Sequence, residues 1–244
     1  MEFKFDANQE YQVRAIESVT GLLEGQQRNQ AQLNLSWAEG FAAIFNRLDH
    51  DEAALLENLR KVQAEAGLEV DDSLKSIEDS IETATGQENV TFPNFSIEME
   101  TGTGKTYVYI RTALELHQRY GFCKFIVVVP SLAIREGVLK TFQITEKHLK
   151  ELYGNLPYRY YVYDSGNLAQ VRQFAVSPNV EFMVMTLASF NKAANVIHQT
   201  TDRLQGETPR ALQLAKDGLF VCRDVALTDE LAANLALQCN LKTI

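Results

Sequence analysis

The spacing of apolar residues changes along the chain, and each change predicts a different kind of element. Tyr11, Ala15, Ile16, Val19, Leu22 and Leu23 recur at intervals of three and four. That places them on one face of a helix, predicted over residues 8–23. A polar stretch, GQQRNQAQ, follows. Between residues 33 and 83 the intervals of three and four return in FAAIFNRL, EAALLENLRKVQ and SLKSIEDSIETA. Two or three amphipathic helices are predicted there, parted near residues 49–50 and 67–72, with Asp51 and Ser73 as N-caps. From Phe95 onward short apolar runs alternate with helical stretches. FSIEM reads as a strand and KTYVYIRTALELHQRY as a helix stopped by Gly121. KFIVVV reads as a buried strand closed by Pro130, and LAIREGVLKTFQITEKHLKEL as a second helix ending near Gly154. YRYYVYD and VEFMVMT read as two more strands.

Strands alternating with helices predict an α/β fold, a parallel sheet with helices on both faces. KFIVVV carries no polar alternation, as befits a central parallel strand covered on both sides. The chain divides on this reading into a leading helix that belongs to the α/β body (1–24), an acidic helical insertion (25–90), the body itself (91–216) and a divergent tail (217–244).

Composition adds a polarity between the two halves. The 244 residues are 45% hydrophobic and carry a formal net charge of −9. Residues 1–100 hold 7 Lys and Arg against 20 Asp and Glu, whereas residues 101–244 hold 16 against 12. An acidic front half is joined to a mildly basic back half, so the overall acidity does not exclude nucleic acid as a ligand. Cys123, Cys222 and Cys239 are scattered, with no C-x-x-C pair, and the four histidines are dispersed. They predict reduced thiols in a cytoplasmic protein rather than a metal cluster. No apolar run is long enough to span a bilayer, and the first ten residues lack a signal-peptide core.

The candidate chemistry lies in SIEMETGTGKTYVYI, residues 96–110. A glycine-rich turn between a predicted strand and a predicted helix brings main-chain N–H groups close to an anion. The helix N-terminus adds partial positive charge. Thr101, Gly102, Thr103, Gly104, Lys105 and Thr106 form this phosphate cradle. Lys105 reaches the β- and γ-phosphates of ATP, and the Thr106 hydroxyl ligates Mg²⁺. The strict pattern G-x-x-x-x-G-K-[ST] is not complete, because Met99 stands where its first glycine belongs. A guanine-reading N-K-x-D is also missing: NKAA at Asn191 has no aspartate.

Four segments together resemble a known family. METGTGKT resembles motif I of superfamily 2 helicases, and FDANQEYQVRAI the upstream Q motif. VVVPSLAIREGV resembles motif Ia, and VMTLASFNK the T-x-x-S-F segment. Taken together they look like the first RecA-like ATPase domain of the Res subunit of type III restriction enzymes, over about residues 1–210. The resemblance implies an ATP-driven motor on double-stranded DNA that works beside a modification methyltransferase subunit. By matching position it implies that Gln12, or failing that Gln9, reads the adenine edge. It places Ser131, Arg135, Thr186, Ser189 and Lys192 near DNA phosphates.

The same resemblance requires an apolar strand ending in a D-E-x-H-like carboxylate pair soon after GETPRALQLAK. Asp229 and Glu230 are the pair available, preceded by the short run VAL. DELAANLAL itself reads more naturally as a capped amphipathic helix. The family also carries a second RecA-like domain with an arginine finger and a nuclease domain, and no matching residues follow. The expectation is a truncated or rearranged Res-like polypeptide that binds ATP but turns it over slowly and does not cut DNA. The alternatives are a nucleotide-binding module without turnover, another superfamily 2 helicase fragment, or a P-loop enzyme such as a small-molecule kinase.

Overall fold

In the computed structural model, residues 5–29, 34–36, 41–44, 46–83, 86–164, 167–190 and 220–223 are described. The body is a four-stranded parallel sheet in the order β6-β7-β5-β8, built from β5 (Lys124–Val129), β6 (Tyr158–Val162), β7 (Val180–Thr186) and β8 (Phe220–Arg223). All six residues of β5 and all seven of β7 are buried. Alternate side chains of these strands enter two different cores, as the pleat requires. Phe125, Val127, Val129, Phe182 and Val184 join α3 (Lys105–Tyr120) and α4 (Leu132–Leu152) on one face. Ile126, Val128, Met183 and Met185 join α5 (Leu168–Val176) on the other. This is the α/β architecture that the alternating pattern predicts, and it is consistent with the RecA-like fold that the resemblance implies.

Aromatic packing fixes how α4 sits on the sheet. The Phe142 ring stacks on Tyr160 at 4.5 Å between centroids and meets the Phe182 ring edge-on at 5.0 Å. Such pairs add roughly 0.5–1.5 kcal/mol beyond the area they bury. At the start of β5, Lys124 is fully buried. Its Nζ donates to the Ser177 carbonyl and lies 5.4 Å from the centre of the Phe174 ring. Burial holds its pKa below the ordinary lysine value.

The leading helix, α1 (Glu10–Gly21), forms where its periodicity predicts. It runs along α3 in the same direction. Arg111 donates to the Ala7 carbonyl near its start, and the Tyr120 hydroxyl to the Thr20 carbonyl (2.9 Å) near its end. Gln12, Ile16 and Thr20, spaced by four, form its buried face.

Residues 26–93 differ from the all-helical reading. α2 (Glu52–Glu65) is a helix, and Asp51 caps it by accepting from the Ala54 N–H at 2.8 Å. The segments on either side of it are hairpins. β1 (Asn34–Ser36) pairs antiparallel with β2 (Phe41–Ala43), where FAAIFNRL reads as helical. β3 (Ser76–Thr83) pairs antiparallel with β4 (Gly86–Pro93), where SLKSIEDSIETA reads as helical, and Ser73 caps no helix.

Two further differences concern the sheet. Residues 95–99, read as a strand, lie outside the ladder. Their burial alternates all the same: Phe95, Ile97 and Met99 are half-buried, while Ser96 and Glu98 are exposed. β8, by contrast, arises from GLFVCR, inside what reads as the divergent tail. It pairs parallel with β5, Phe125 opposite Phe220 and Val128 opposite Arg223. Four residues carry a weak periodic signal, and the pairing with β5 supplies what the pattern lacks.

Candidate nucleotide-binding site

The glycine-rich turn has the geometry of an anion cradle. Gly102 and Gly104 both adopt left-handed backbone conformations, with φ of +85° and +83°. A side chain at either position would be strained. A Cβ on Gly102 would meet nothing within 4 Å, so the space beside it is open. A Cβ on Gly104 would stand 2.9 Å from Gln12 Nε2. Gly104 is the N-cap of α3 and offers no side chain to its first turn. The early N–H groups of that helix therefore remain directed at whatever sits before them.

Lys105 and Thr106 open α3. The Lys105 ammonium is held across the loop, donating to the Met99 carbonyl at 3.0 Å and the Glu100 carbonyl at 3.1 Å. The Thr103 hydroxyl donates to the same Glu100 carbonyl at 2.7 Å. Thr101 is exposed, and Thr106 is half-buried. The loop is thus closed by its own lysine and one threonine, around carbonyls that no sequence motif marks. Their involvement follows from backbone shape.

Gln12 meets this loop from α1. It is only 7% exposed, and its Nε2 donates to the Thr103 carbonyl at 2.9 Å. One of its amide hydrogens is therefore spent on the cradle itself. Gln9 is the N-cap of α1, and its Oε1 accepts from the Tyr11 hydroxyl. Of the two glutamines, Gln12 is the one against the phosphate loop.

The residues that the resemblance assigns to DNA divide. Ser131 caps α4, its Oγ accepting from the Ile134 N–H at 3.3 Å. Arg135 pairs with Glu136 at 2.8 Å. Thr186 and Ser189 are brought together, their hydroxyls 2.9 Å apart at the carboxyl end of β7. Val129 at the end of β5 is the register partner of Thr186, so Ser131 and Thr186 leave the sheet along the same edge. In parallel sheets that edge is where ligands bind. Lys192, Asp229 and Glu230 lie outside the described residues. Among the described residues no group of His, Cys, Asp and Glu could hold a metal ion, and no helix is long and apolar enough to cross a membrane.

Residues 56–230 match the family described as "Type III restriction enzyme, res subunit". Among individual proteins, the chain is 50% identical over 64 residues to the StyLTI Res subunit of Salmonella typhimurium, covering 25% of this chain and 6% of that protein. It is 34% identical over 98 residues to the EcoP15I Res subunit of Escherichia coli, covering 39% of this chain and 10% of that one. With the EcoPI Res subunit of Escherichia phage P1 the identity is 29% over 143 residues, 58% of this chain and 13% of the phage protein. The matched regions span about a tenth of these relatives' lengths. The family match covers well over half of the chain, and the chain belongs to the family of type III restriction enzyme Res subunits.

Proposed function

We propose that this chain is the nucleotide-binding part of a DNA-translocating motor in a type III restriction system. It binds ATP with Mg²⁺ at the cradle from Thr101 to Thr106. The observation that carries the reading is the loop itself: two left-handed glycines lead into a helix N-terminus, with Lys105 poised over the turn. ATP fits these residues because the open side of Gly102 faces no protein atom within 4 Å of a Cβ position. Main-chain N–H groups would hold the phosphates, Lys105 would exchange its two carbonyl partners for phosphate oxygens, and the Thr106 hydroxyl would ligate the metal. When bound, Mg²⁺ neutralises charge developing on the transferred phosphoryl group.

Gln12 acts on this reading as a positioning residue for the loop, with adenine recognition left to the remaining acceptor and donor of its amide. Double-stranded DNA would follow the sheet edge marked by Ser131, Thr186 and Ser189, through backbone contacts indifferent to sequence. A modification methyltransferase subunit is the protein partner.

Turnover requires a carboxylate to position water. β8 supplies the apolar strand that the motor fold needs, and it ends at Arg223. The next residue is Asp224, five positions before Asp229. This makes Asp224 a rival to the Asp229–Glu230 pair. The test is phosphate release by the chain at saturating ATP, with and without linear double-stranded DNA. Slow release is expected, reduced further by Asp224→Asn and unchanged by Glu230→Gln. Brisk, DNA-stimulated release that vanishes in Glu230→Gln would return the role to the downstream pair.

A further inference from the structure

Gln12 touches the phosphate loop, but the first turn of α1 does little of its own to hold it there. Gln9, the N-cap, makes no side-chain capping bond to the helix. Ile16 and Thr20 bury the later turns. At the far end Arg119 donates to the Thr20 hydroxyl at 3.0 Å, and the Tyr120 hydroxyl to the Thr20 carbonyl at 2.9 Å. The turn that carries Gln12 is held from in front, by the way residues 5–7 are seated on α3 and α4.

Two anchors seat them. The Phe5 ring stacks on Tyr107 of α3 at 6.2 Å between centroids and lies 5.3 Å from the His148 ring of α4. The Tyr107 hydroxyl and His148 Nε2 are 2.9 Å apart, which ties the two seats together. The second anchor is the Arg111 guanidinium, which donates to the Ala7 carbonyl. Arg111 is only 9% exposed, and among the described residues it forms no ion pair. Burying a charge without a counter-charge is unfavourable, and an apolar side chain would fill the same place without that penalty. What the guanidinium adds is direction: a charge-assisted bond to one backbone carbonyl just ahead of α1. Lys105 and Arg111 stand on the same helix, less than two turns apart. α3 therefore carries the phosphate cradle at its start and, a little further along, the tie to the lead-in of α1.

We propose that Arg111 is a positioning residue for the candidate nucleotide site. By holding Ala7 to α3 it sets the first turn of α1, and with it Gln12, against the Thr103 carbonyl. Its effect on nucleotide affinity rests on the function proposed above; its effect on α1 does not.

Amide hydrogen exchange of the full chain without nucleotide reads the effect on α1. Arg111→Met keeps an unbranched apolar stem and removes the donor. It is expected to speed exchange over residues 10–14 by about fivefold or more while β5 and β7 stay as in the wild type. Arg119→Met cuts the comparable tie at the far end of α1 and is expected to leave residues 10–14 unchanged. Phe5→Ala removes the other anchor without touching α3. It is expected to share the Arg111→Met pattern, and it decides the matter if Arg111→Met does not fold. Titration of a fluorescent ATP analogue with Mg²⁺ reads the effect on the site. Arg111→Met and Gln12→Ala are each expected to weaken binding roughly three- to tenfold. The double variant is expected to bind no worse than the weaker single one, because two residues that act through one contact do not add. Additive losses, an equal effect of Arg119→Met, or unchanged exchange over residues 10–14 would overturn the assignment. No binding by the wild type would overturn the ATP reading alone; the exchange pattern would still establish that Arg111 seats Gln12.

Discussion

The parallel sheet and the layer formed by residues 26–93 are held by different forces. The sheet region is held mainly by apolar packing: β5 and β7 are buried from end to end, and α3, α4 and α5 close over them. In the N-terminal layer Leu55 and Leu74 reach the main core, and polar side chains add joins of their own by bonding to backbone. Asn46, 3% exposed, accepts from the Cys123 and Lys124 N–H groups at 2.8 and 3.1 Å and donates to the Lys124 carbonyl at 2.7 Å. Asn58 donates to the Leu22 and Glu24 carbonyls at 3.1 and 3.0 Å. Gln26 bridges the Gln27 and Arg47 carbonyls and the Asp49 carboxylate. Apolar packing writes itself into the sequence as a period. A single amide that completes a distant strand end leaves no period at all.

Three substitutions test this contrast by urea denaturation. Phe142→Ala should cost the most, about 3–5 kcal/mol, because the residue is fully buried between α4 and the aromatic face of the sheet. A cost under about 1 kcal/mol would mean that the sheet core is not the cooperative unit. Asn46→Ala should follow, at roughly 1–3 kcal/mol, since it leaves two buried N–H groups without their acceptor. If it proves as mild as a surface change, polar anchoring is the wrong account of the layer. Asp51→Ala should cost about 1 kcal/mol, the usual loss of an N-cap. No change there would show that α2 is held by packing alone.

The same contrast explains what could be read from the sequence. α1, α3 and α4 were legible from their periodic faces, and β5, β6 and β7 from short runs of continuous apolar or aromatic residues. The hairpin β3–β4 was not, because Ile77 and Ile81 are four apart, and four satisfies both the helical and the strand period. Pairing with residues 86–93 decides in favour of strand, and that partner is invisible in a local window. β1 and β2 are three residues each, too short to carry a pattern. The FSIEM stretch shows the converse: it alternates correctly but finds no ladder.

At the site, the glycine-lysine-threonine turn was legible from its residue types. The two left-handed conformations are what those glycines permit. The contact between Gln12 and the Thr103 carbonyl was half legible. Its spacing from Ile16 and Thr20 puts Gln12 on the buried face of α1, but only the packing of α1 on α3 brings it to the loop. The partners of Lys105, the Met99 and Glu100 carbonyls, were not legible, since any residue supplies a carbonyl.

The central claim is that the turn from Thr101 to Thr106 binds ATP. Titration of a fluorescent ATP analogue in the presence of Mg²⁺, against the wild type and Lys105→Ala, tests it most directly. Removing the only full positive charge in the turn should cost about 1.5–3 kcal/mol, a roughly ten- to hundredfold loss of affinity. Saturable binding by the wild type that weakens to this extent is the predicted result. Equal affinities for the two proteins, or no saturable binding by the wild type, would contradict the account.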